Sequence, residues 1–242
     1  MISQESLKEF TKKYQTTKEN IVREYCQHLF LSSLYRLPNS EKLLFKGGTA
    51  LRFIYGSPRF SEDLDFTGQD IFRFKIIDDL FIEAITELER MGIEISLQEA
   101  KPTTGGYLGI IRYHLYGIRG DINFEVSLRR RKRLKKEVDT VVNDFISTYT
   151  IVHLSSREIT REKVIALVNR QKPRDFYDFY YILRHPELHR YIEKETLIKV
   201  KAILGKTQIN FKKELSILLP VSHHILLKDF KSLLIREIEK NE

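Results

Sequence analysis

The first half of the chain switches between helical and strand-like spacing of its hydrophobic residues. Residues 5–35 have apolar positions at helical spacing and contain no proline or glycine, which predicts helix. A short strand is predicted at "KLLF", and a short helix at "TALRFIYG", ending at Gly56 because Pro58 prevents its extension. Strand periodicity follows in "EDLDF", helical spacing in residues 76–91, and strand periodicity again in "IEISLQEA", "YLGIIRYHLY" and "DINFEVSL".

The second half of the chain predicts helices after a basic segment. Ser155 and Glu158 have the Ser-x-x-Glu form of a capping box, which marks the beginning of a helix, and Pro173 separates this helix from the next. This order of elements predicts an α+β fold, with a small mixed sheet followed by a helical half. We place a core with its N-terminal helices in residues 1–140 and a helical domain in residues 141–242.

Composition places the chain among soluble globular proteins. Its 242 residues are 42% hydrophobic and 31% charged, and no apolar run reaches the roughly 18 residues needed to span a bilayer. The N-terminal segment is polar and lacks the hydrophobic region of a signal peptide. The single cysteine, Cys26, cannot form an internal disulfide, which suits a reducing compartment. We therefore expect a cytoplasmic protein that does not enter a membrane.

The charge is positive and unevenly distributed. The formal net charge is +8, and the segment "RRRKRLKK", residues 129–136, has seven cationic side chains in eight positions. An excess of this sign favours polyanionic partners such as nucleic acids or nucleotides. The alternative is a solvated loop whose charges protect a sheet edge from aggregation.

Two carboxylates in "EDLDF" are candidates for a metal site. On a strand alternate residues share a face, so Asp63 and Asp65 point one way while Leu64 and Phe66 point the other. Carboxylates on one face repel each other, and a bound Mg²⁺ would remove that repulsion. A third candidate ligand is Glu125 in "INFEVSL", on the polar face of another predicted strand. The alternative for each is a polar face exposed to solvent.

The pair Gly47-Gly48 lies between a predicted strand and a predicted helix. Glycine lets a backbone approach a ligand closely, and N–H groups at the beginning of a helix bind anions, which predicts a phosphate site next to the carboxylates. An ordinary tight turn is the alternative. The segment is not a Walker loop, because Lys46 precedes the glycines instead of following them.

Four segments together carry a resemblance to a known family. They are "FKGGTAL", "RFSEDLDF", "INFEVSLR" and "EKVIALVNRQKPRDFYDFYYIL", and their order resembles that of AbiEii/AbiGii-type nucleotidyltransferase toxins over about residues 20–185. The resemblance implies a DNA polymerase β-like nucleotidyltransferase core and a toxin of a toxin–antitoxin system. It also implies metal-dependent transfer of a nucleoside monophosphate from an NTP to a cellular acceptor. The expected cofactor is Mg²⁺ or Mn²⁺, the favoured acceptor is tRNA, and a cognate antitoxin protein is the expected partner.

The resemblance also assigns roles to individual residues. The nucleotide-binding candidates are Lys46, Gly47, Gly48, Thr49, Arg59 and Ser61, with Arg59 as a phosphate clamp because its fork suits phosphate oxygens. The metal ligands are Asp63, Asp65 and Glu125, and the catalytic residues are Asp63, Asp65, Lys163 and Asp175. Lys163 would neutralise triphosphate charge, and Asp175 would orient Lys163 or the acceptor hydroxyl. Another set could form an ion-pair network that fixes the helix, namely Arg170, Arg174 and Asp178.

Two other functions remain open at this stage. The same site could transfer a nucleotide or a phosphoryl group to a protein, since fold does not determine substrate. Alternatively, the protein could be a non-catalytic basic module that binds RNA or an antitoxin through a degenerate site. The presence of Asp63, Asp65 and Glu125 argues against a degenerate site.

Overall fold

The chain folds into two compact units. A computed structural model describes residues 1–128 and 134–242. Unit 1 comprises Met1–Gly56 and Phe60–Leu154, and unit 2 comprises Ser57–Arg59 and Ser155–Glu242. The division after Leu154 lies within the helical domain that the sequence analysis began at residue 141.

Unit 1 contains a seven-stranded mixed sheet. In chain order its strands are β1 (Leu43–Lys46), β2 (Leu64–Gly68), β3 (Glu94–Thr103), β4 (Gly106–Leu115), β5 (Ile118–Ser127), β6 (Lys136–Val141) and β7 (Tyr149–Leu154). Their order across the sheet is β3-β4-β5-β2-β1-β7-β6. The pairs β2–β5 and β1–β7 are parallel, and the other four pairs are antiparallel.

Helices cover the apolar face of this sheet. They are α2 (Lys18–Leu34), α3 (Gly47–Phe53) and α4 (Phe74–Arg90), and α1 (Gln4–Lys13) packs against α2. The ring of Phe124 on β5 lies 5.0 Å from Phe81 of α4 and 5.5 Å from Phe30 of α2, measured between centroids. Phe66 on β2 joins the same cluster at 4.9 Å. Because side chains alternate along a strand, this packing leaves the neighbours of Phe66 and Phe124 on the opposite, polar face.

Unit 2 is helical apart from its connections. Its α-helices are α5 (Ser156–Arg170), α6 (Pro173–Arg184), α7 (Lys194–Lys206), α8 (Phe211–Leu218) and α9 (Phe230–Asn241). Gln171 has a positive φ of 53° and ends α5, and Pro173 is the first residue of α6. The core gathers Tyr177, Phe211 and Phe230, with ring centroids 5.0–5.9 Å from Phe230.

Most predicted elements of the first half are confirmed, with one change in the helices. The strands at "KLLF", "EDLDF", "IEISLQEA", "YLGIIRYHLY" and "DINFEVSL" are β1 to β5, and the helix at residues 76–91 is α4. The helix predicted over residues 5–35 is divided into α1 and α2. The break occurs where Gln15 adopts a positive φ of 50°.

The prediction that the chain is wholly helical after the basic segment is wrong. Strands β6 and β7 lie there, and they enlarge the sheet beyond the small one expected. α5 begins directly after Ser155, as predicted, but the Ser155 side chain makes no capping hydrogen bond within the described residues. No helix in residues 1–128 and 134–242 is both long and apolar enough to cross a membrane.

Candidate functional site

A row of five residues, four of them charged, crosses the polar face of the sheet in unit 1; we call it the charged row. Strand pairing sets Glu125 beside Asp65 and Asp65 beside Lys46. Residues that lie opposite each other on neighbouring strands share a face. From one edge inwards the row is Lys101, Leu108, Glu125, Asp65 and Lys46. The pairing therefore brings together three of the predicted site residues, two carboxylates and one cation.

Asp63 lies one residue before β2 and is held from two sides. Its Oδ1 accepts a hydrogen bond from Asn123 Nδ2 at 2.8 Å. Its backbone carbonyl accepts one from the Thr49 hydroxyl at 2.5 Å. Asn123 is two residues before Glu125 on β5, so the same strand positions both carboxylates. Thr49 is fully buried, and its hydroxyl joins α3 to the beginning of β2. In this structure Thr49 is thus a packing residue within the site.

Gly47 makes the closest approach to a candidate carboxylate. Its φ is +84°, a conformation that side-chain-bearing residues rarely adopt. A Cβ at this position would lie 2.1 Å from Asp65 Oδ2, which leaves no room for any other residue. Lys46 precedes α3, and Gly48 follows Gly47 in the first turn of this helix, where it is buried. Gly47 therefore brings its backbone against Asp65, which fits a site where a ligand must also approach closely.

A cavity of about 430 Å³ opens over the charged row. Lys46, Asp65 and Glu125 line one part of it, and the turn of Thr103, Thr104 and Gly105 lines another. Leu108 and Ser127 complete its polar-face wall. Ser61 does not line this cavity. It is half-buried, and its carbonyl accepts a hydrogen bond from Gln27 Nε2 at 3.1 Å.

The predicted set of three metal ligands is not assembled. Within residues 1–128 and 134–242, no group of three or more histidine, cysteine, aspartate or glutamate side chains is close enough to hold a metal ion. Asp65 and Glu125 are direct neighbours across the sheet, but Asp63 is engaged by Asn123. Two carboxylates still suit Mg²⁺, which proteins commonly bind through one or two carboxylates together with substrate phosphates.

A buried ion cluster lies within unit 2. Asp178 of α6 accepts two hydrogen bonds from the Arg59 guanidinium, at 2.7 and 3.0 Å. The same carboxylate accepts a third from Lys163 Nζ of α5, at 2.7 Å. The side chains of Arg59, Asp178 and Lys163 are only 3%, 1% and 11% exposed. One buried carboxylate therefore pairs with two cations that are themselves largely buried.

The charges of this cluster control the ionisation of Asp178. Burial alone would raise the pKa of its carboxyl, but the charges and hydrogen bonds of Arg59 and Lys163 outweigh burial and lower the pKa to about 2. Asp178 is therefore a carboxylate at neutral pH. It restrains the ammonium group of Lys163, the residue that the sequence analysis placed in catalysis.

This arrangement changes two of the predicted roles. Lys163 is hydrogen bonded to Asp178 and, within the described residues, not to Asp175. The other role predicted for Asp175, orienting the acceptor hydroxyl, stays a prediction. Asp175 instead accepts from Arg170 at 2.5 Å and from the backbone N–H of Lys172 at 3.1 Å, which caps the first turn of α6. Arg59, predicted as a phosphate clamp, is buried against Asp178.

The expected ion-pair network is only partly present. Asp178 pairs with Lys163, whereas Arg170 pairs with Asp175. Arg174 lies 3.7 Å from Glu214 of α8. Sequence reasoning assigned no role to Asn123, and it placed Asp178 in an ion-pair network without identifying its partners Arg59 and Lys163. Asn123 shares the polar face of its strand with Glu125, which was a usable signal, whereas the contact of Asp178 depends on how two helices pack.

The chain is similar to one protein family over most of its length. The sequence model of the family described as "Nucleotidyl transferase AbiEii toxin, Type IV TA system" matches residues 29–240. No curated protein matches the chain significantly.

Solved structures share the fold at low sequence identity. MenT4, a nucleotidyltransferase toxin from Mycobacterium tuberculosis H37Rv, superposes with a TM-score of 0.67 at 16% identity, covering 100% of this chain and 90% of that one. JHP933 from Helicobacter pylori gives 0.63 at 18% identity, covering 93% of each chain. A putative nucleotidyltransferase from H. pylori gives 0.58 at 19% identity, covering 93% of this chain and 99% of that one.

Proposed function

Because the chain belongs to the AbiEii family of nucleotidyltransferase toxins from type IV toxin–antitoxin systems, we propose that unit 1 transfers a nucleoside monophosphate from an NTP to tRNA. The observation that carries this proposal is the register of the sheet, which sets Glu125, Asp65 and Lys46 side by side. The close approach of the Gly47 backbone to the Asp65 carboxylate supports the proposal. A phosphate bound at the Gly47 backbone would lie next to that carboxylate. The family also implies an antitoxin partner.

The proposed reaction includes a divalent metal ion, Mg²⁺ or Mn²⁺. Asp65 and Glu125 would hold the ion together with phosphate oxygens of the NTP, and Asp63 is the third candidate. When bound, such an ion offsets phosphate charge and favours attack by a hydroxyl. Asn123 orients the Asp63 carboxylate on the same face of the sheet, because the Asn123 amide nitrogen donates a hydrogen bond to Asp63 Oδ1 at 2.8 Å.

The remaining residues of the site would bind and position the triphosphate. Lys46 lines the cavity and contributes a positive charge beside Asp65. Gly47 and Gly48 offer backbone N–H groups without side chains that would hinder phosphate. Thr49 does not act on substrate in this scheme. Its hydroxyl donates a hydrogen bond to the Asp63 carbonyl and so fixes α3 to the beginning of β2.

A nucleic-acid acceptor is supported by charge. The chain carries a net charge of +8, and seven of its cations lie in residues 129–136, close after Ser127. Residues 129–133 lie outside the described structure, and Lys135 and Lys136 are exposed. Basic segments of this kind bind phosphate backbones without reading sequence, which suits recognition of tRNA as a class.

The test is a transfer assay with α-labelled NTPs. Each of the four NTPs is offered separately with bulk tRNA, total RNA or total protein, in Mg²⁺, Mn²⁺ or EDTA. We expect label on tRNA from at least one NTP and none in EDTA. Label on protein alone would overturn the tRNA acceptor, and no transfer under any condition would overturn the proposal.

Variants locate the activity on the sheet. Asp65→Asn and Glu125→Gln should each lower transfer by about 10³-fold, because either change removes a carboxylate at the reacting phosphate. Asp121→Asn is the matched control, since Asp121 lies on the same strand as Glu125 and is bonded to Arg112 at 2.8 Å. Its activity should stay within twofold of wild type. Near-wild-type transfer by Asp65→Asn would show that the site lies elsewhere.

A further inference from the structure

We propose that the loop between β2 and α4 is an RNA-binding surface, which holds one unpaired base between the rings of Phe72 and Phe74. The inference goes beyond the proposed function, because it assigns an RNA contact outside the transfer site. Phe72 is 91% exposed, more than any other large hydrophobic side chain in the described residues, and Phe74 is 40% exposed. Neither ring lines the cavity over the charged row.

The exposure of Phe72 is built into a fixed loop. The loop begins at Gln69, whose backbone N–H donates to the Lys42 carbonyl at 2.8 Å. Ile71 packs over Gly68, since its Cδ1 lies 3.1 Å from the position that a Cβ on this glycine would take. The loop thus places one of its apolar residues against the sheet and leaves Phe72 in water, where an uncovered ring does not stabilise the fold. The ring is therefore available to a partner.

The backbone between the two rings is extended. Arg73 has a φ of −136° and a ψ of 127°, and Phe74 after it is the first residue of α4. An extended residue directs its two neighbours to the same side of the chain, and two strand rises separate these neighbours by about 6.6 Å. Stacked bases are spaced by about 3.4 Å, so a base with a ring on each face needs about 6.8 Å. The spacing of Phe72 and Phe74 therefore suits one base.

Positive charge accompanies the two rings. Arg73 lies between them, is exposed, and forms no ion pair in the described part of the chain. Lys75 follows, with Asp79 at 3.1 Å on the next turn of α4. The loop also contains the exposed Asp70, so residues 69–75 hold two cations and one carboxylate. Arg73 is thus the cation that a phosphate next to the bound base would meet.

The basic segment returns to the same loop. Leu134, the first described residue after 129–133, donates its backbone N–H to the Gln69 side-chain oxygen at 3.1 Å. Lys135 follows it and is exposed. Proteins bind single-stranded nucleic acid by combining aromatic rings with cations, whereas the centre of a protein–protein interface is depleted of charge. The loop therefore fits unpaired RNA better than a protein partner.

A direct test uses the absence of tryptophan from the sequence. In the full-length protein, Phe72→Trp introduces a single indole fluorophore at the stacking position. Saturating single-stranded oligo(A) RNA, without NTP, should quench its fluorescence, because the ring stacks on a base. An RNA duplex of the same length should not, since its bases are already paired. Leu97→Trp, at an exposed position of the edge strand β3, is the control and should respond to neither RNA.

Affinity measurements separate stacking from charge. Phe72→Leu keeps an apolar side chain but lacks the ring, and it should weaken oligo(A) binding about tenfold, as expected for one lost stack. Phe72→Tyr should bind within twofold of wild type. The slope of log K against log salt should be the same in all three proteins, because no phosphate contact changes. In the transfer assay, Phe72→Leu should raise the KM for tRNA and leave the KM for NTP within twofold of wild type.

Two results would overturn the inference. They are oligo(A) binding by Phe72→Leu within twofold of wild type, and equal quenching of the Phe72→Trp protein by single strand and duplex. Phe72 would then be left to a protein partner such as the antitoxin. Because binding is measured without NTP, these results leave the proposed transfer to tRNA intact. Conversely, selective quenching together with transfer to protein alone would overturn the tRNA acceptor and support the RNA-binding loop.

Discussion

Replacement of Asp178 by asparagine tests the buried ion cluster of unit 2. The change keeps the shape of the side chain and one acceptor oxygen but removes the charge that holds Arg59 and Lys163. Its cost can be bounded from two sides. A pKa lowered from 3.8 to about 2 corresponds to about 2 kcal/mol of stability. Removing one partner of a buried ion pair costs about 3–5 kcal/mol.

We therefore expect Asp178→Asn to lower the free energy of unfolding by about 3 kcal/mol at pH 7. Because the folded-state pKa of Asp178 is lowered, its contribution is present above the pKa of the unfolded carboxyl, about 3.9, and is lost as pH falls towards 2. Wild type should lose this stability between about pH 4 and pH 2. The variant, which lacks the carboxyl, should show a shallower pH dependence over that range.

The assay is equilibrium urea unfolding followed by circular dichroism, at pH 7 and at intervals from pH 5 to pH 2. Hydrogen exchange of peptides from α6 locates the effect in unit 2. The control is Asp79→Asn, because Asp79 pairs with Lys75 at 3.1 Å on the solvent-exposed face of α4. An exposed pair of this kind contributes about 0.3–0.5 kcal/mol. If Asp178→Asn is no more destabilising than this control, the reasoning about the buried cluster is refuted.

Three further predictions concern catalysis and binding. Gly47→Ala should abolish transfer and lower the melting temperature, because its Cβ would collide with Asp65 at 2.1 Å; a fully active alanine variant would contradict this geometry. Lys163→Ala should lower kcat by about 10²-fold, more than it weakens NTP binding. Asp175→Asn should lower kcat if Asp175 is catalytic, but should lower only stability if Asp175 is the cap seen in α6. Steady-state kinetics and thermal melts on the same samples separate these outcomes. Replacing three arginines within residues 129–136 by serine should weaken the salt dependence of tRNA binding. The slope of log K against log salt should fall by about 0.7–0.9 for each phosphate that the variant no longer neutralises. An unchanged slope would favour a solvated loop.

Sequence reasoning was most successful where local pattern determines structure. The alternation in "EDLDF" and "INFEVSL" predicted the faces of β2 and β5, and with them the shared face of Asp65 and Glu125. It missed β6 because five of its six residues are exposed, which leaves no alternation to detect. Such a strand is held by backbone pairing to β7, and pairing of that kind has no signature in hydrophobicity.

Long-range contacts explain the other differences. The bond between Asn123 and Asp63 depends on β5 pairing in parallel with β2, which the sequence alone could not establish. The choice of Asp178 over Asp175 as partner of Lys163 depends on how α5 packs on α6. Both carboxylates lie on the same helix, three residues apart, so composition and motif could not distinguish them.

The position of β7 has a consequence for the order in which the protein can fold during synthesis. β1 bears the candidate residue Lys46, and the outer neighbour of β1 in the sheet is β7. Phe45 of β1 pairs with His153 of β7, about one hundred residues later in the chain. Until that strand leaves the ribosome, one edge of β1 stays open and the sheet is incomplete. Contacts of such long sequence separation form late. The growing polypeptide should therefore remain inactive until nearly all of unit 1 has been translated.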